Sequence, residues 1–351
     1  MNNQHHKHTI LEGQHVTIGY HQKKNQVAVH ADLNFQLYPG ELTCLLGANG
    51  SGKSTLLRTL SAVQPSLNGE ILLLNKNIQE YTERERSRTI GVVLTERTQT
   101  GGLTVRELVA LGRQPHTGFF GRLNATDKSL IEHAIDSVGI THLSSSYMAE
   151  LSDGERQKAF IAKALVQECP LILLDEPTAF LDVVSRIEIM TLLSKLAKDE
   201  NKAILLSTHD IDQALLLADR LWLLRAYQGM TCGVTEDLVL ANELDSLFPT
   251  DNICFDNQNG VYAPRPAYLH SIIMEAADER LRHWTENALH RLGYQCITAS
   301  KATAESSKTP ILYAESPCKL ILQTQDQKTE FGSFESLIHG MAESTRINSK
   351  K

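Results

Sequence analysis

The fold of this chain is decided by Gly47-Ala48-Asn49-Gly50-Ser51-Gly52-Lys53-Ser54, a stretch that fills every fixed position of the pattern GxxxxGK(S/T). Glycines let the backbone turn so that several N–H groups point inward, toward the oxygens of a phosphate. An apolar run at residues 42–46 predicts a buried strand before this phosphate loop, and residues 53–60 predict a helix whose positive end faces the anion. We expect Lys53 to reach the β- and γ-phosphates of a nucleotide and Ser54 to bind Mg²⁺, with Thr55 in the same nucleotide-binding segment.

A pair of acidic residues supplies the second half of a nucleotide site. The apolar run at residues 171–174 predicts a short, fully buried strand of a parallel sheet, and Asp175 and Glu176 follow it directly. At the end of that strand Asp175 can hold Mg²⁺, while Glu176 can polarise a water molecule for attack on the γ-phosphorus. Two acids after a strand are weak evidence alone. Together with the phosphate loop they predict hydrolysis of a nucleoside triphosphate.

The size and composition of the chain indicate one large domain and a smaller one. The chain has 351 residues, of which 42% are hydrophobic and 21% are charged, as in ordinary soluble globular proteins. The net charge of −7 gives no electrostatic footprint for nucleic acid. No apolar run reaches the roughly 18–20 residues that span a bilayer, and the N-terminus lacks the apolar core of a signal peptide. We therefore expect a cytoplasmic protein that only a partner could hold at a membrane.

The pattern of apolar residues divides the chain into two parts. From residue 16 to about residue 224, short apolar strands alternate with amphipathic helices, which is typical of an α/β fold. Further strands are predicted in this part at residues 16–20, 32–37, 69–74, 90–94 and 204–207. We expect a first domain at residues 1–250 and a small α+β domain at residues 255–351. In the small domain the pattern predicts helices at residues 275–292 and 334–341 and strands at residues 294–298, 310–313 and 320–324.

A third segment, Leu151-Ser152-Asp153-Gly154-Glu155, carries a resemblance to a known family. It resembles the signature of ABC ATPases, usually LSGGQ, and the likeness covers roughly residues 16–224. The resemblance implies an ABC-type P-loop NTPase fold, with a RecA-like α/β core, an antiparallel edge sheet and a helical subdomain at about residues 104–165. It also implies that the signature of one subunit closes over the ATP and Mg²⁺ held by the phosphate loop of the other. The functional unit would then be a homodimer of ATPase subunits.

Two residues of the signature depart from the usual pattern. Asp153 and Glu155 stand where Gly and Gln are usual, and an extra carboxylate near a polyphosphate is unfavourable unless it points away or caps the helix. Ser152 and the backbone of Gly154 suit a γ-phosphate at a helix N-terminus. The alternative is a plain helix N-cap formed by Ser152 and Asp153.

Four further positions are carried over from the family residue by residue. His209, in the segment Ser207-Thr208-His209-Asp210, resembles the switch histidine that senses the γ-phosphate. Asp182 resembles the aspartate of the D-loop, which crosses the dimer interface. Tyr20 resembles the aromatic residue that stacks on adenine, with a core tyrosine as the alternative. The glutamine expected after the strand at residues 90–94 is missing, and Glu96 takes the nearest place; its carboxylate keeps an acceptor for Mg²⁺ or water but loses the amide donor.

A motif in the helical region indicates which kind of ABC protein this is. Gly112-Arg113-Gln114-Pro115-His116, followed by Gly121-Arg122-Leu123, resembles the GRxPH…GxL segment of ATPases that serve importers of ferric siderophores, haem and cobalamin. The alternative is a helix broken by Pro and Gly that carries no information about a partner. The resemblance implies integral-membrane permease subunits, a substrate-binding protein that acts with them, and a peripheral position on the cytoplasmic face of the inner (plasma) membrane.

Two questions stay open at this point. The first is the class of function, because an ABC exporter ATPase and a soluble ABC ATPase of translation or DNA maintenance are alternatives to an importer. The acidic net charge, the single cassette and the lack of a heptad array argue against the soluble types. The second is the C-terminal domain, for which the sequence leaves dimer contact, regulation by a ligand and passive extension as alternatives.

Overall fold

A computed structural model shows two units, Met1–Ala263 and Pro264–Lys351, which are described separately below. The structure describes residues 8–22, 25–94, 102–118, 121–248, 250, 252–257, 259–265, 268–297, 309–325 and 327–348. Glu96, the expected substitute for the missing glutamine, lies outside these residues.

The first unit contains both strands and helices along its whole length. Its strands are β1 (Leu11–Gln22), β2 (Asn25–Leu37), β3 (Leu42–Leu46), β4 (Asn68–Leu73), β5 (Lys76–Asn77), β6 (Ile90–Val93), β7 (Leu171–Asp175), β8 (Ala203–Ser207), β9 (Arg220–Arg225), β10 (Gly229–Val234), β11 (Ile253–Asp256) and β12 (Val261–Pro264). Its helices are α1 (Lys53–Leu60), α2 (Glu83–Ser87), α3 (Val105–Leu111), α4 (Ala125–Ser137), α5 (Asp153–Leu165), α6 (Val183–Asp199), α7 (Ile211–Leu217) and α8 (Thr235–Leu240).

A six-stranded sheet forms the centre of the first unit, in the order β10-β9-β3-β8-β7-β6. All neighbouring pairs are parallel except β10 with β9. Every residue of β3 and β8 is buried, because helices cover one face of this sheet and helix α1 together with the antiparallel sheet covers the other. Alternate residues of β3 enter different cores, with Cys44 in one and Leu45 in the other.

Parallel pairing brings the carboxyl ends of β3, β7 and β8 to one edge of the central sheet. In open α/β sheets this edge is where ligands bind. The phosphate loop follows β3, Glu176 follows β7, and His209 follows β8. The backbone N–H of Thr208 donates to the carbonyl of Leu45 at 3.2 Å, so the segment leaving β8 is tied to the strand that leads into the loop.

The second sheet of the first unit is antiparallel, in the order β2-β1-β4-β5. Strands were expected at residues 16–20 and 32–37, and the observed β1 and β2 are longer because they pair along most of their length. Phe35 of this sheet packs on Trp222 of the central sheet with ring centroids 5.0 Å apart. This sheet carries Tyr20 and His30 toward the first turn of α1, as described below.

Three helices, α3, α4 and α5, form the helical subdomain expected at about residues 104–165. Each begins with a capping box, in which a Thr, Asn or Ser side chain and an acidic side chain three residues later satisfy each other's backbone N–H groups. The helical region is interrupted around Pro115 and Gly121, since α3 ends at Leu111 and α4 begins at Ala125. Among the described residues, no helix is both long and apolar enough to cross a membrane.

The motif at residues 112–116 is anchored inside the first unit. The Arg113 side chain is 6% exposed; its Nε donates to Asp127 at 2.9 Å, and its Nη1 donates to the carbonyl of Val166 at 2.8 Å and to Glu168 at 2.6 Å. His116 Nε2 lies 2.9 Å from the carbonyl of Gln167. These two side chains therefore brace the helical subdomain against the connection between α5 and β7.

The hairpin of β11 and β12 belongs to the first unit. Phe255 lies in its core, and the hydroxyl of Tyr262 donates to the carbonyl of Leu244 at 2.6 Å. The division between the units therefore falls after Ala263, later than the boundary that the sequence placed between residues 250 and 255.

The second unit is a five-stranded sheet in the order β14-β13-β15-β16-β17 with two helices. Its elements are β13 (His270–Ala276), α9 (Glu279–Arg291), β14 (Tyr294–Ile297), β15 (Ile311–Ser316), β16 (Lys319–Gln323), β17 (Lys328–Phe331) and α10 (Phe334–Asn348). The helix expected at residues 275–292 begins later, because Glu275 and Ala276 end β13 and the Asp278 carboxylate caps the helix by accepting from the Leu281 N–H at 2.7 Å. Trp284 of this helix is 60% exposed.

The buried pair Arg113–Asp127 yields a prediction about stability. Asp127→Ala should lower the free energy of unfolding of the first unit by about 3 kcal/mol. The substitution leaves the buried Arg113 guanidinium with the half-exposed carboxylate of Glu168 as its remaining acidic partner. Urea unfolding followed by the fluorescence of the buried Trp222, in a Trp284→Phe background, measures this unit alone. The matched control is Glu132→Ala, whose partner Arg106 is exposed and whose loss should cost less than about 1 kcal/mol. Equal losses in the two variants would contradict the prediction.

The same pair predicts a pH dependence. The N–H of Asn124, above all, and the Arg113 guanidinium hold the pKa of Asp127 below its usual value. The pKa of Asp127 is lower in the folded protein than in the unfolded chain, where it is about 4, so the ionised carboxylate stabilises the fold at pH values above about 4. This stabilisation is lost as the pH falls through the pKa of the folded state. The stability difference between wild type and Asp127→Ala should therefore shrink in acid.

Candidate functional site

The phosphate loop lies between β3 and α1 in a conformation that only glycine allows at two positions. A Cβ on Gly47 would lie 2.5 Å from the carbonyl oxygen of Leu224, and Gly52 has a φ of +100°. The N–H of Ser51 donates to the carbonyl of Ala48 at 3.1 Å, which closes the turn. The loop thus enters the N-terminus of α1, where unpaired backbone N–H groups and the helix dipole favour an anion.

Lys53 lies at the centre of the loop. Its side-chain ammonium donates to the carbonyls of Gly47 at 2.8 Å and Ala48 at 3.2 Å, and the residue is 7% exposed. Burial lowers the pKa of Lys53, and the negative charges of Glu176 and Asp175 oppose that shift. The ammonium is therefore held by the carbonyls of the loop itself.

Two side chains of the antiparallel sheet support the loop and the helix. Nε2 of His30, a buried residue, lies 2.6 Å from the carbonyl oxygen of Ser51; that oxygen can only accept, so Nε2 donates. The sequence analysis missed His30, because nothing in the local pattern links residue 30 to residue 51. The hydroxyl of Tyr20 contacts that of Thr55. Tyr20 is 40% exposed, so the structure favours a surface position beside the loop over the core tyrosine that was the alternative.

An acidic cluster lies beside the loop. Ser54 and Asp175 line one cavity of about 450 Å³. Glu176 Oε1 lies 2.6 Å from His209 Nε2, and both side chains are partly exposed. Ser207, which the sequence analysis did not single out, donates its hydroxyl to Asp175 Oδ1 at 2.7 Å and accepts from the N–H of Glu176 at 2.9 Å. The residues expected to hold Mg²⁺, to activate water and to sense the γ-phosphate are thus neighbours.

The signature segment begins α5. The hydroxyl of Ser152 donates to Glu155 Oε2 at 2.7 Å, and the backbone N–H of Ser152 donates to the same oxygen at 2.9 Å. These hydrogen bonds lower the pKa of Glu155, so its carboxylate is charged. Asp153 Oδ1 lies 2.6 Å from Nη1 of Arg156. Both unusual carboxylates are therefore engaged within the first turn of the helix, where Glu155 completes the capping box with Ser152 and Asp153 pairs with Arg156.

The signature and the D-loop are adjacent in the structure. A Cβ on Gly154 would lie 3.0 Å from the hydroxyl oxygen of Ser185, and that hydroxyl donates to Asp182 at 3.0 Å. Asp182 also accepts from the N–H of Ser185 at 2.9 Å and so caps α6. Over the part of the chain that the structure describes, the hydrogen bonds of residues 152–155 stay within α5, and none reaches the phosphate loop.

The donor set fits a magnesium nucleotide. The hydroxyl oxygen of Ser51 is buried and has no hydrogen-bond partner among the described residues, and an added Cβ on Gly50 would meet nothing within 4 Å. No described group of three or more His, Cys, Asp or Glu side chains could hold a metal by itself. Ser54 and Asp175, which line the cavity, are the residues that could hold Mg²⁺, an ion that uses one or two protein ligands together with phosphate oxygens and water.

Comparison with known proteins agrees with this geometry. The ABC transporter family model matches residues 30–179. The ferric enterobactin transport ATP-binding protein FepC of Escherichia coli is 37% identical over 238 residues, which cover 68% of this chain and 86% of FepC. The iron(3+)-hydroxamate import ATP-binding protein FhuC of Bacillus subtilis is 33% identical over 241 residues, which cover 69% of this chain and 88% of FhuC.

A solved structure gives the same result for the fold. A metal-chelate type ABC transporter in an inward-facing conformation matches with a TM-score of 0.59 and 30% identity, over 68% of this chain and 89% of that chain. The expected fold class, an ABC-type P-loop NTPase, is thereby confirmed, and so is the expected likeness to ATPases of siderophore import. This chain belongs to the family of ABC transporter ATP-binding proteins.

Proposed function

We propose that this chain is the ATP-hydrolysing subunit of an importer for a metal chelate, with a ferric siderophore as the cargo class and haem or cobalamin as the nearest alternatives. The contact of 2.6 Å between Glu176 and His209, beside the cavity lined by Ser54 and Asp175, carries the hydrolytic part of the proposal. The names of the relatives, which state ferric enterobactin and iron(3+)-hydroxamate, support the cargo class.

Each side chain of the cluster has a defined task in this proposal. Lys53 transfers its hydrogen bonds from the carbonyls of its own loop to phosphate oxygens. Ser54 and Asp175 would hold Mg²⁺, which would supply neutralisation of the phosphate charge. Glu176 orients and polarises the attacking water, and His209 holds the Glu176 carboxylate and senses the γ-phosphate. Tyr20 stacks on adenine, and the role of Glu96 stays a prediction from the sequence.

The site is completed by a second copy of the chain. Ser152 and the backbone of Gly154 begin a helix and are suited to a γ-phosphate, but their hydrogen bonds do not connect them to their own phosphate loop. In a homodimer with two-fold symmetry, the phosphate loop of each chain meets the signature of the other, so both nucleotide sites are complete. Asp153 adds little repulsion toward the nucleotide, because Arg156 neutralises it.

The membrane partner is a pair of permease subunits, to which a substrate-binding protein delivers the cargo. Arg84, Gln114, Pro115 and Lys163 are among the residues that line an open cleft of about 770 Å³ on the first unit. Because Arg113 and His116 are used internally, the outer residues of the same motif are the ones that remain for a cytoplasmic loop of the permease. Docking there would hold the chain on the cytoplasmic face of the inner membrane.

Removal of the proposed base tests the hydrolytic mechanism. Glu176→Gln should keep ATP binding but lower kcat by at least about a hundredfold, because the amide cannot accept the proton. The closed dimer should then accumulate with ATP, as size-exclusion chromatography measures. Glu188→Gln, which alters an exposed carboxylate on α6, is the matched control and should leave turnover unchanged. Unchanged steady-state turnover in Glu176→Gln would sink the assignment.

Mixing two inactive variants tests the shared site. Lys53→Met breaks the phosphate loop and Ser152→Arg breaks the signature, so each variant alone should be inactive. In a mixed dimer both defects fall in one site and the other site is intact, so a 1:1 mixture should regain about a quarter of wild-type turnover if the sites act independently. A mixture as inactive as its components would show that the two segments serve no common site between chains.

Uptake tests the transport part of the proposal. The chain, co-purified with its membrane partner and placed in vesicles, should drive ATP-dependent uptake of a ferric siderophore. The Glu176→Gln complex supplies the control for leakage, and haem and cobalamin are tested in parallel. ATP-driven release instead of uptake would make the chain an exporter ATPase.

A further inference from the structure

One buried hydroxyl connects the groups proposed to hold Mg²⁺ and to activate water. Ser207 is the last residue of β8, has no exposed surface, and lies directly opposite Asp175 in the pairing of β7 with β8. Its hydroxyl donates to Asp175 Oδ1 at 2.7 Å, and its oxygen accepts from the N–H of Glu176 at 2.9 Å. A serine hydroxyl has one proton, so the bond to Asp175 fixes the rotor and leaves a lone pair for the N–H.

The backbone of Glu176 shows why such an anchor matters. Its φ is +47°, in the left-handed region that non-glycine residues adopt at a cost. The hydrogen bond from the Glu176 N–H to Ser207 holds the peptide in that conformation, and in that conformation the Glu176 carboxylate meets His209 at 2.6 Å. His209 follows Ser207 by two residues, so one segment positions the backbone and the side chain of Glu176 together.

The hydrogen bond from the Ser207 hydroxyl to the Asp175 carboxylate is a strong one. A carboxylate acceptor makes a hydrogen bond about twice as strong as a neutral one, and water cannot compete for a fully buried hydroxyl. The bond limits rotation of the Asp175 carboxyl group about its last torsion. The orientation of the carboxylate is therefore set before Mg²⁺ arrives.

We propose that Ser207 is a positioning residue for ATP hydrolysis, which orients the Asp175 carboxylate and holds the strained backbone of Glu176. The inference rests on the proposed ATPase function of this site. Ser207 acts through these two residues and not on the nucleotide. Its loss should therefore affect turnover and the requirement for Mg²⁺, while the affinity for metal-free ATP, which depends on the phosphate loop and on Tyr20, stays the same.

Steady-state kinetics of four proteins test the proposal: wild type, Ser207→Ala, Ser207→Thr and Ser194→Ala. Ser207→Ala removes the hydroxyl and adds no atoms, and Ser207→Thr restores a hydroxyl at the same place. Ser194→Ala removes another buried serine hydroxyl, which donates only weakly, at 3.5 Å, to the carbonyl of Leu217 at the end of α7. For each protein we measure kcat, KM, the Mg²⁺ concentration at half-maximal rate, the Kd for ATP in EDTA, and the thermal midpoint.

The expected result is a selective loss of turnover. In Ser207→Ala, kcat should fall about ten- to hundredfold, as for loss of a hydrogen bond to a charged group. The Mg²⁺ concentration at half-maximal rate should rise, the Kd for ATP in EDTA should stay within about twofold of wild type, and Ser207→Thr should recover most of the rate. If Ser207→Ala does not fold, Ser207→Cys, which keeps the size but only a weak donor, carries the same comparison.

Two results would overturn the inference. One is a loss of kcat in Ser207→Ala no larger than that in Ser194→Ala; the other is a weaker affinity for metal-free ATP with kcat unchanged. If the wild-type chain shows no ATPase activity, or only activity that survives in Glu176→Gln, the proposed function itself is refuted instead. The two failures are therefore distinguishable.

Discussion

Parallel hydrogen bonding among β3, β8 and β7 sets the positions on which the nucleotide site depends. Leu45 pairs with Ser207, and Ser207 pairs with Asp175, so three strand ends lie in one row across the sheet. The phosphate loop, His209 and Glu176 each begin within two residues of that row. A slip of β8 by one residue would turn Ser207 to the opposite face and separate Asp175 from its donor. The chemistry is therefore fixed by sheet register before any side chain of the loop is considered.

Local patterns in the sequence predicted the parts of the site whose function depends on neighbours in the chain. The glycines and Lys53 of the phosphate loop, the acids after β7 and the cap of α5 each act over a few residues, so their spacing is visible in one dimension. His30 contacts Ser51, which lies 21 positions along the chain. Ser207 contacts Glu176 and Asp175, which lie 31 and 32 positions away. No periodicity connects such pairs. Their roles follow only from the pairing of strands.

Two other features have the same origin. Arg113 and His116 were noted only as parts of a family motif, and the structure adds internal hydrogen-bond partners that lie more than 50 residues away at Val166, Gln167 and Glu168, besides Asp127. In the second unit, Glu275 and Ala276 continue the helical pattern of α9 in sequence but belong to β13, because pairing with β15 outweighs local propensity there. Sequence reasoning was accurate where local forces decide and inaccurate where long-range contacts do.

The hydrogen bond between Ser152 and Glu155 has a thermodynamic consequence for the dimer. The single proton of the Ser152 hydroxyl cannot serve Glu155 and a phosphate oxygen at the same time. In the proposed homodimer, a nucleotide presented by a second copy would replace one charge-assisted hydrogen bond of Ser152 with another, and the free energy gained would be the difference between the two. Closure of the proposed dimer would therefore be an exchange reaction, and it would be less favourable than closure at a signature whose serine gives up no bond to a carboxylate.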